Sequence, residues 1–289
     1  MAEITYKLDI AGFLWEIVSP LELMVTENCE PFLTDRPGAD CSLRYTLGRP
    51  EDRGTLIRES NPRVWREENA LRVERVPMSS ASPCACVWLR QDRPLQAEGM
   101  IYPDRVKTLH TLDHLIDVSE MEMFFTALEA FSLHSSLVRR PEGDAVLFTA
   151  PSGTGKSTQA ALWERFAGGD TLNGDRSVLR RVNGAWTAFG SPFAGTSGIY
   201  RNESAPVRAL VVLRQAPDNR IRRLPLAEAF RAIYSESVLP RWNTQAHQRV
   251  IELITAVVGE IPVYLLQCTP DERAVTLLRR TLEGDTYDC

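Results

Sequence analysis

The stretch Ala150-Pro-Ser-Gly-Thr-Gly-Lys-Ser-Thr158 holds the residue types that grip phosphate. Its spacing follows the pattern Gly, four residues, Gly-Lys, then Ser or Thr, with Ala150 standing at the first position. Gly153 and Gly155 lack Cβ atoms, so the backbone there can close into a nest of inward-pointing N–H groups. A helix starting at this loop turns its positive dipole end to the same place. Ser152, Gly153, Thr154, Gly155, Lys156, Ser157 and Thr158 are therefore the candidate nucleotide-binding set. Lys156 reaches the β- and γ-phosphates as a point charge, and Ser157 offers its hydroxyl to magnesium. ATP and Mg2+ are the expected cofactors. Ala150 is a departure, because the first position often takes an unusual backbone angle.

A magnesium–nucleotide site also needs an acid. The nearest candidate is Asp175, in Thr171-Leu-Asn-Gly-Asp-Arg-Ser-Val-Leu179, which leaves enough chain after Lys156 for a helix to return. The competing reading of Asn-Gly-Asp is a hairpin turn. No apolar run ending in Asp-Glu occurs here, which disfavours an ATPase motor. His134 precedes the loop and its strand and is a candidate acid/base or hydrogen-bond donor, against a structural role. Gly190-Ser-Pro-Phe-Ala-Gly-Thr-Ser-Gly198 is a second glycine-containing loop, read as a phosphate-side or substrate-side loop or a long turn. Arg201 and Arg208 follow it, with solvated surface roles as the default reading. Trp163 and Trp186 sit at apolar positions and read as core.

The elements around these residues fall into two styles. Residues 1–105 alternate with a period near two in Ile4–Ile10, Ser42–Leu47, Ala70–Val76 and Ala85–Arg90, which predicts strands. Apolar residues then recur at helical spacing from Leu109 to Leu137, with a break near Ser119. Ala145–Thr149 reads as a short buried strand, Thr158–Phe166 as helix, and Ser177–Arg180, Ala185–Phe189, Ala209–Leu213 and Pro262–Leu266 as strands. Leu226–Tyr234 and Gln245–Val258 read as helices. Thr269 or Asp271 starts a closing helix that ends at Gly284. The expected organisation is a strand-rich N-terminal module over 1–108, for recognition or assembly, and a mixed α/β nucleotide-binding domain over 109–289.

Composition bounds the function classes. The chain has 289 residues, 44% hydrophobic and 25% charged, an ordinary globular balance. A net charge of -5 gives no basic footprint for nucleic acid. Lys7, Lys107 and Lys156 are the only lysines, which reads as genomic bias toward arginine. Six cysteines form no CxxC pair, and His110 and His114 lack a third ligand nearby, so zinc is not expected. No apolar leader and no run of about 18 apolar residues occurs. The expectation is a cytoplasmic protein with no membrane partner.

Leu133-His-Ser-Ser136, Val146–Thr158, Leu172-Asn-Gly-Asp-Arg176 and Gly190-Ser-Pro-Phe193 together resemble the C-terminal domain of HPr serine kinase/phosphorylase and its bacterial relatives. That group belongs to the PEP-carboxykinase-like P-loop superfamily. The resemblance covers roughly residues 125–215. It implies an α/β fold with a PEP-carboxykinase-like P-loop domain, and a kinase moving phosphate from ATP to a serine. It implies catalytic roles for Lys156, His134 and Asp175, and metal binding by Ser157 and Asp175. The family's paired acids are Gly174 and Asp175 here, so the serine-activating acid is missing. The family's later Arg-Gly signature has no match, and residues 1–105 do not resemble its usual N-terminal domain. A small protein or peptide is then the expected acceptor, rather than HPr itself. A homo-oligomer is compatible with the family's habit. Two alternatives stay open: a carboxykinase-like enzyme acting on a small carboxylic acid, and a nucleotide-binding regulator without catalysis.

Overall fold

Seven-residue strands β1 (Ile4–Ile10) and β2 (Phe13–Ser19) open the chain as a hairpin turned on Ala11 and Gly12, both with positive φ. In this computed structural model, residues 3–51, 53–77 and 80–284 are described. The chain divides into two compact units. The first is residues 1–128 with Pro240–His247, and the second is Glu129–Leu239 with 248–289. By compactness the first unit includes helices after residue 108, up to Leu128.

The first unit carries an eight-stranded sheet. It adds β3 (Cys41–Leu47), β4 (Thr55–Arg58), β5 (Arg63–Arg66), β6 (Leu71–Glu74), β7 (Ala85–Leu89) and β8 (Gln96–Ile101), in the order β1-β2-β3-β8-β7-β6-β5-β4. β2, β3 and β8 run parallel and the other pairs antiparallel. Inward residues at period two, such as Tyr6, Leu8 and Ile10, or Cys41, Leu43 and Tyr45, form its core. Helices α1 (Leu112–Asp117) and α2 (Met121–Ala127) follow, and the rings of Phe124 and Phe125 meet Trp15 tilted and edge-on, with centroids at 5.2 and 5.5 Å.

The helical pattern expected over 109–137, with a break near Ser119, is corrected in its last part. It breaks at Glu120, whose φ is 53°, and stops before Glu129, whose φ is 60°. From Ala130 to Arg139 the chain is a strand, β9, and His134 lies on it. β9 is buried along nearly its whole length on both faces, so its apolar residues show no alternation.

The second unit sandwiches a sheet between helices. Its strands are β9, β10 (Ala145–Thr149), β11 (Asp170–Asn173), β12 (Arg176–Val182), β13 (Ala185–Phe189), β14 (Ser204–Gln215), β15 (Arg220–Arg223) and β16 (Val263–Cys268). β10 lies between antiparallel β9 and parallel β14, and β14 continues to parallel β16. Val146 and Phe148 point into a core shared with α3 (Lys156–Ala167) and α6 (Glu272–Glu283). Ala145 and Leu147 point into the opposite core, against α4 (Leu226–Glu236) and α5 (Thr244–Glu260). Burial on both faces explains why β10 reads as an unbroken apolar run. The chain is thus a mixed α/β protein with two large, mostly stranded sheets. Among the described residues, no helix is long and apolar enough to cross a membrane.

Candidate functional site

The glycine loop leaves the end of β10 and enters α3 directly, the strand–turn–helix context that the motif requires. Gly153 and Gly155 take φ of 79° and 116°, a region open to glycine and costly for other residues. A Cβ built on either meets no atom within 4 Å, so open space lies beside both. The Thr154 N–H donates to the Pro151 carbonyl at 3.2 Å, which closes the turn. From the side, Gln215 at the end of β14 donates to the Thr154 carbonyl at 3.3 Å. The N–H groups of Lys156, Ser157 and Thr158 open α3 and have no acceptor inside the helix. Ala150 raises no difficulty. It is fully buried with Phe148 and Trp163 and does not take a left-handed φ.

Lys156 is the buried member of the loop, and its ammonium donates to the Ala150 carbonyl at 2.8 Å. Burial pushes its pKa down, while Glu236 and then Asp175 push it back up. Ser152, Gly153, Ser157 and Thr158 are exposed, and Thr154 and Gly155 half-buried.

Asp175 sits in the bend between β11 and β12. β11 and β12 both pair antiparallel with β9, one beyond the other, so together they form one interrupted line along it. Asn-Gly-Asp is therefore not the tip of a hairpin. The Asn173 side-chain oxygen accepts from the N–H groups of Asp175 and Arg176 at 2.9 and 2.8 Å. Asp175 faces His134, whose Nε2 lies 3.4 Å from its Oδ1. This contact holds the Asp175 carboxyl below the usual carboxylate range, against the opposing effect of burial.

His134 has a second carboxylate beside it. Glu236, the last residue of α4, places Oε2 at 3.5 Å from Nδ1. The end of α4 is held there by backbone contact, because the Val238 N–H donates to the Ser132 carbonyl at 2.9 Å. The sequence offered no motif for Glu236. Its placement depends on this contact between the end of α4 and β9.

The second glycine loop closes over this bend. The Asn173 amide donates to the carbonyls of Ser191 and Phe193 at 2.9 and 3.3 Å, and Ser191 Oγ donates to the Arg176 carbonyl at 2.6 Å. A Cβ built on Gly174 would stand 1.9 Å from Ser197 Oγ. The place of a side chain at 174 is thus filled by Ser197. Arg201 and Arg208 are engaged elsewhere, with Asp170 at 2.8 Å and with the Leu282 carbonyl at 2.6 Å. Trp163 and Trp186 are core residues.

No protein-family model matches this chain, and no curated protein is similar to it. Among solved structures it is similar to the HPr(Ser) kinase/phosphatase from Coxiella burnetii. Identity is 16%, and the match covers 53% of this chain and 93% of that one. The TM-score is 0.31, too loose to argue from.

The residues gathered here suit a polyphosphate with a hard cation. The open space at two left-handed glycines and the unpaired first-turn N–H groups fit an anion. Ser157 and Asp175 supply the oxygen donors that magnesium prefers. The first unit carries a separate open hollow of about 1050 Å³, lined by Arg44, Arg66, Arg90, Glu16, Glu98 and Trp88 among others.

Proposed function

We propose that this chain is an ATP- and Mg-dependent kinase that transfers the γ-phosphoryl group to a hydroxyl, the serine of a protein or peptide. One observation carries the reading: the buried Lys156 ammonium, the open glycine turn and the Asp175–His134–Glu236 line converge within one unit. Backbone N–H groups of residues 153–157 would hold the β- and γ-phosphates, and Lys156 would leave the Ala150 carbonyl to join them. Ser157 and Asp175 would hold magnesium, which offsets charge on the phosphate oxygens during transfer. His134, with a carboxylate beside each ring nitrogen, would hold Asp175 and Glu236 in orientation at the site. The first unit would serve recognition or assembly. A PEP-carboxykinase-like P-loop domain and a cytoplasmic location belong to the same reading.

The test is incubation of a cell extract with the protein and γ-labelled ATP, followed by mass spectrometry for a newly phosphorylated species. Wild type should produce one and Lys156→Ala none, with both proteins folded. Full activity of Lys156→Ala would refute the site.

The closure of Gly174 by Ser197 favours a second reading, a nucleotide-binding regulator without catalysis. It predicts thermal stabilisation by MgATP with no ATP consumed against any acceptor.

A further inference from the structure

Phosphoryl transfer to a hydroxyl releases a proton, and a group at the site has to take it. Asp175 is assigned to the metal. The two ring nitrogens of His134 lie 3.4 Å from Asp175 and 3.5 Å from Glu236, so each already faces a carboxylate and neither has a lone pair clear of one. Glu236 has a free lone pair. Its side chain is 13% exposed, with Oε2 on His134. Oε1 meets Ser235 Oγ at a long 3.4 Å, which leaves room for another donor. Glu236 also shares His134 with Asp175, which puts its carboxylate in the same line of side chains, and its charge raises the pKa of the Lys156 ammonium against burial.

We infer, resting on the kinase reading above, that Glu236 is the base that accepts the proton of the attacking hydroxyl. The hydroxyl oxygen forms its bond to the γ-phosphorus. The bond from that phosphorus to the bridging oxygen breaks, and ADP leaves with the electron pair. The hydroxyl proton moves to Glu236 Oε1, while His134 Nδ1–H holds Oε2 in orientation. Water standing in for the acceptor yields ADP and phosphate by the same steps. ADP formation therefore assays the step without a known acceptor.

The experiment compares full-length wild type, Glu236→Gln and Glu236→Asp, with MgATP as the probe. Thermal stabilisation reads binding. ADP formation, with water alone and with a degenerate serine-peptide mixture, gives kcat and KM. In Glu236→Gln, kcat should fall by about 10²–10⁴ with stabilisation and KM for ATP unchanged, and Glu236→Asp should recover part of the loss. A Glu236→Gln protein with kcat within about threefold of wild type overturns the inference. Loss of MgATP stabilisation together with kcat also overturns it, since Glu236 would then serve binding. Should Glu236→Gln fail to fold, the aspartate variant decides: reduced kcat at unchanged KM supports the base, and unchanged kcat overturns it. A wild type that MgATP stabilises but that forms no ADP overturns the kinase reading itself, an outcome distinct from the others.

Discussion

Gly195 lies against the carboxylate of Asp175, so closely that a Cβ built on Gly195 would stand 2.7 Å from Asp175 Oδ1. The second glycine loop thus braces the candidate metal acid with bare backbone. Gly195 also takes a φ of 55°, where a Cβ costs roughly 1–2 kcal/mol. Gly195→Ala should lower Tm by roughly 2–4 °C for each kcal/mol lost in a unit of this size. It should cut ATP turnover by about tenfold or more, since an ångström of misplacement is costly at such a site. Scanning calorimetry and ADP release measure the two effects. Unchanged turnover would mean that Asp175 does not need this brace.

Lys156→Ala makes a stability prediction besides its functional one. Keeping the ammonium buried costs stability in the absence of nucleotide, and removing it relieves that cost. The same change leaves the Ala150 carbonyl without its 2.8 Å donor, which costs about 1 kcal/mol. These effects offset, so urea unfolding should move by no more than about 1 kcal/mol, while MgATP stabilisation disappears. A larger loss of stability would make Lys156 a structural residue first.

How far these features were legible depended on whether local chemistry or distant packing made them. The glycine loop, β10 and α6 could be read directly. Two positive-φ glycines, a doubly buried apolar run, and Asp271 and Gly284 as helix caps are local signals. β9 could not, because Phe131, Leu133, Leu137 and the serines between them are buried on both faces. Without alternation a short strand imitates a helix. Asp175 was found as an acid near the loop, but the bend that holds it lies between β11 and β12, which share β9. Glu236 was missed because nothing near it in sequence marks it. Its role comes from α4 ending beside His134.

The cap of α6 sets an acid-side prediction. Asp271 accepts from the Ala274 N–H at 3.2 Å and from Thr269 Oγ1 and Asn219 Nδ2 at 2.9 and 3.0 Å. Arg273, together with these donors, lowers its pKa to about 2. A carboxyl depressed on folding contributes stability above its unfolded pKa of about 3.9, and that contribution is lost as pH falls toward 2. Asp271→Ala should cost about 1 kcal/mol at pH 7 and less at pH 2.5, measured by urea unfolding at both. An equal cost at both pH values would remove the carboxylate's charge from the account.

In the first unit, Gly99 of β8 has a packing reason to be glycine. A Cβ there would lie 2.2 Å from the Tyr45 ring. Tyr45 is itself buried, with its hydroxyl 2.7 Å from Ser119 Oγ, so the ring has little freedom to move. Gly99→Ala should destabilise by about 1–3 kcal/mol, as overpacking does. Retained stability in calorimetry would show that the ring can swing aside.

The most discriminating variant concerns Gly174, the position where the resemblance implies an acid. If Gly174 were a simple loss, Gly174→Asp should raise phosphoryl transfer. The Cβ of such a residue would instead collide with Ser197, whose Oγ is fixed on the Ala194 carbonyl at 2.7 Å and accepts from the Ile199 N–H at 3.3 Å. Gly174→Asp alone should therefore displace the loop that braces Asp175, lowering both Tm and turnover. Adding Ser197→Gly removes the obstructing hydroxyl and its Cβ, so the double variant should recover stability relative to Gly174→Asp. The two substitutions share one space and must couple, by about 0.5–3 kcal/mol in a double-mutant cycle. If the effects simply add, Ser197 does not fill the space of the absent side chain. Higher turnover in Gly174→Asp alone would show that the loop yields, leaving the site able to accept the acid that it lacks.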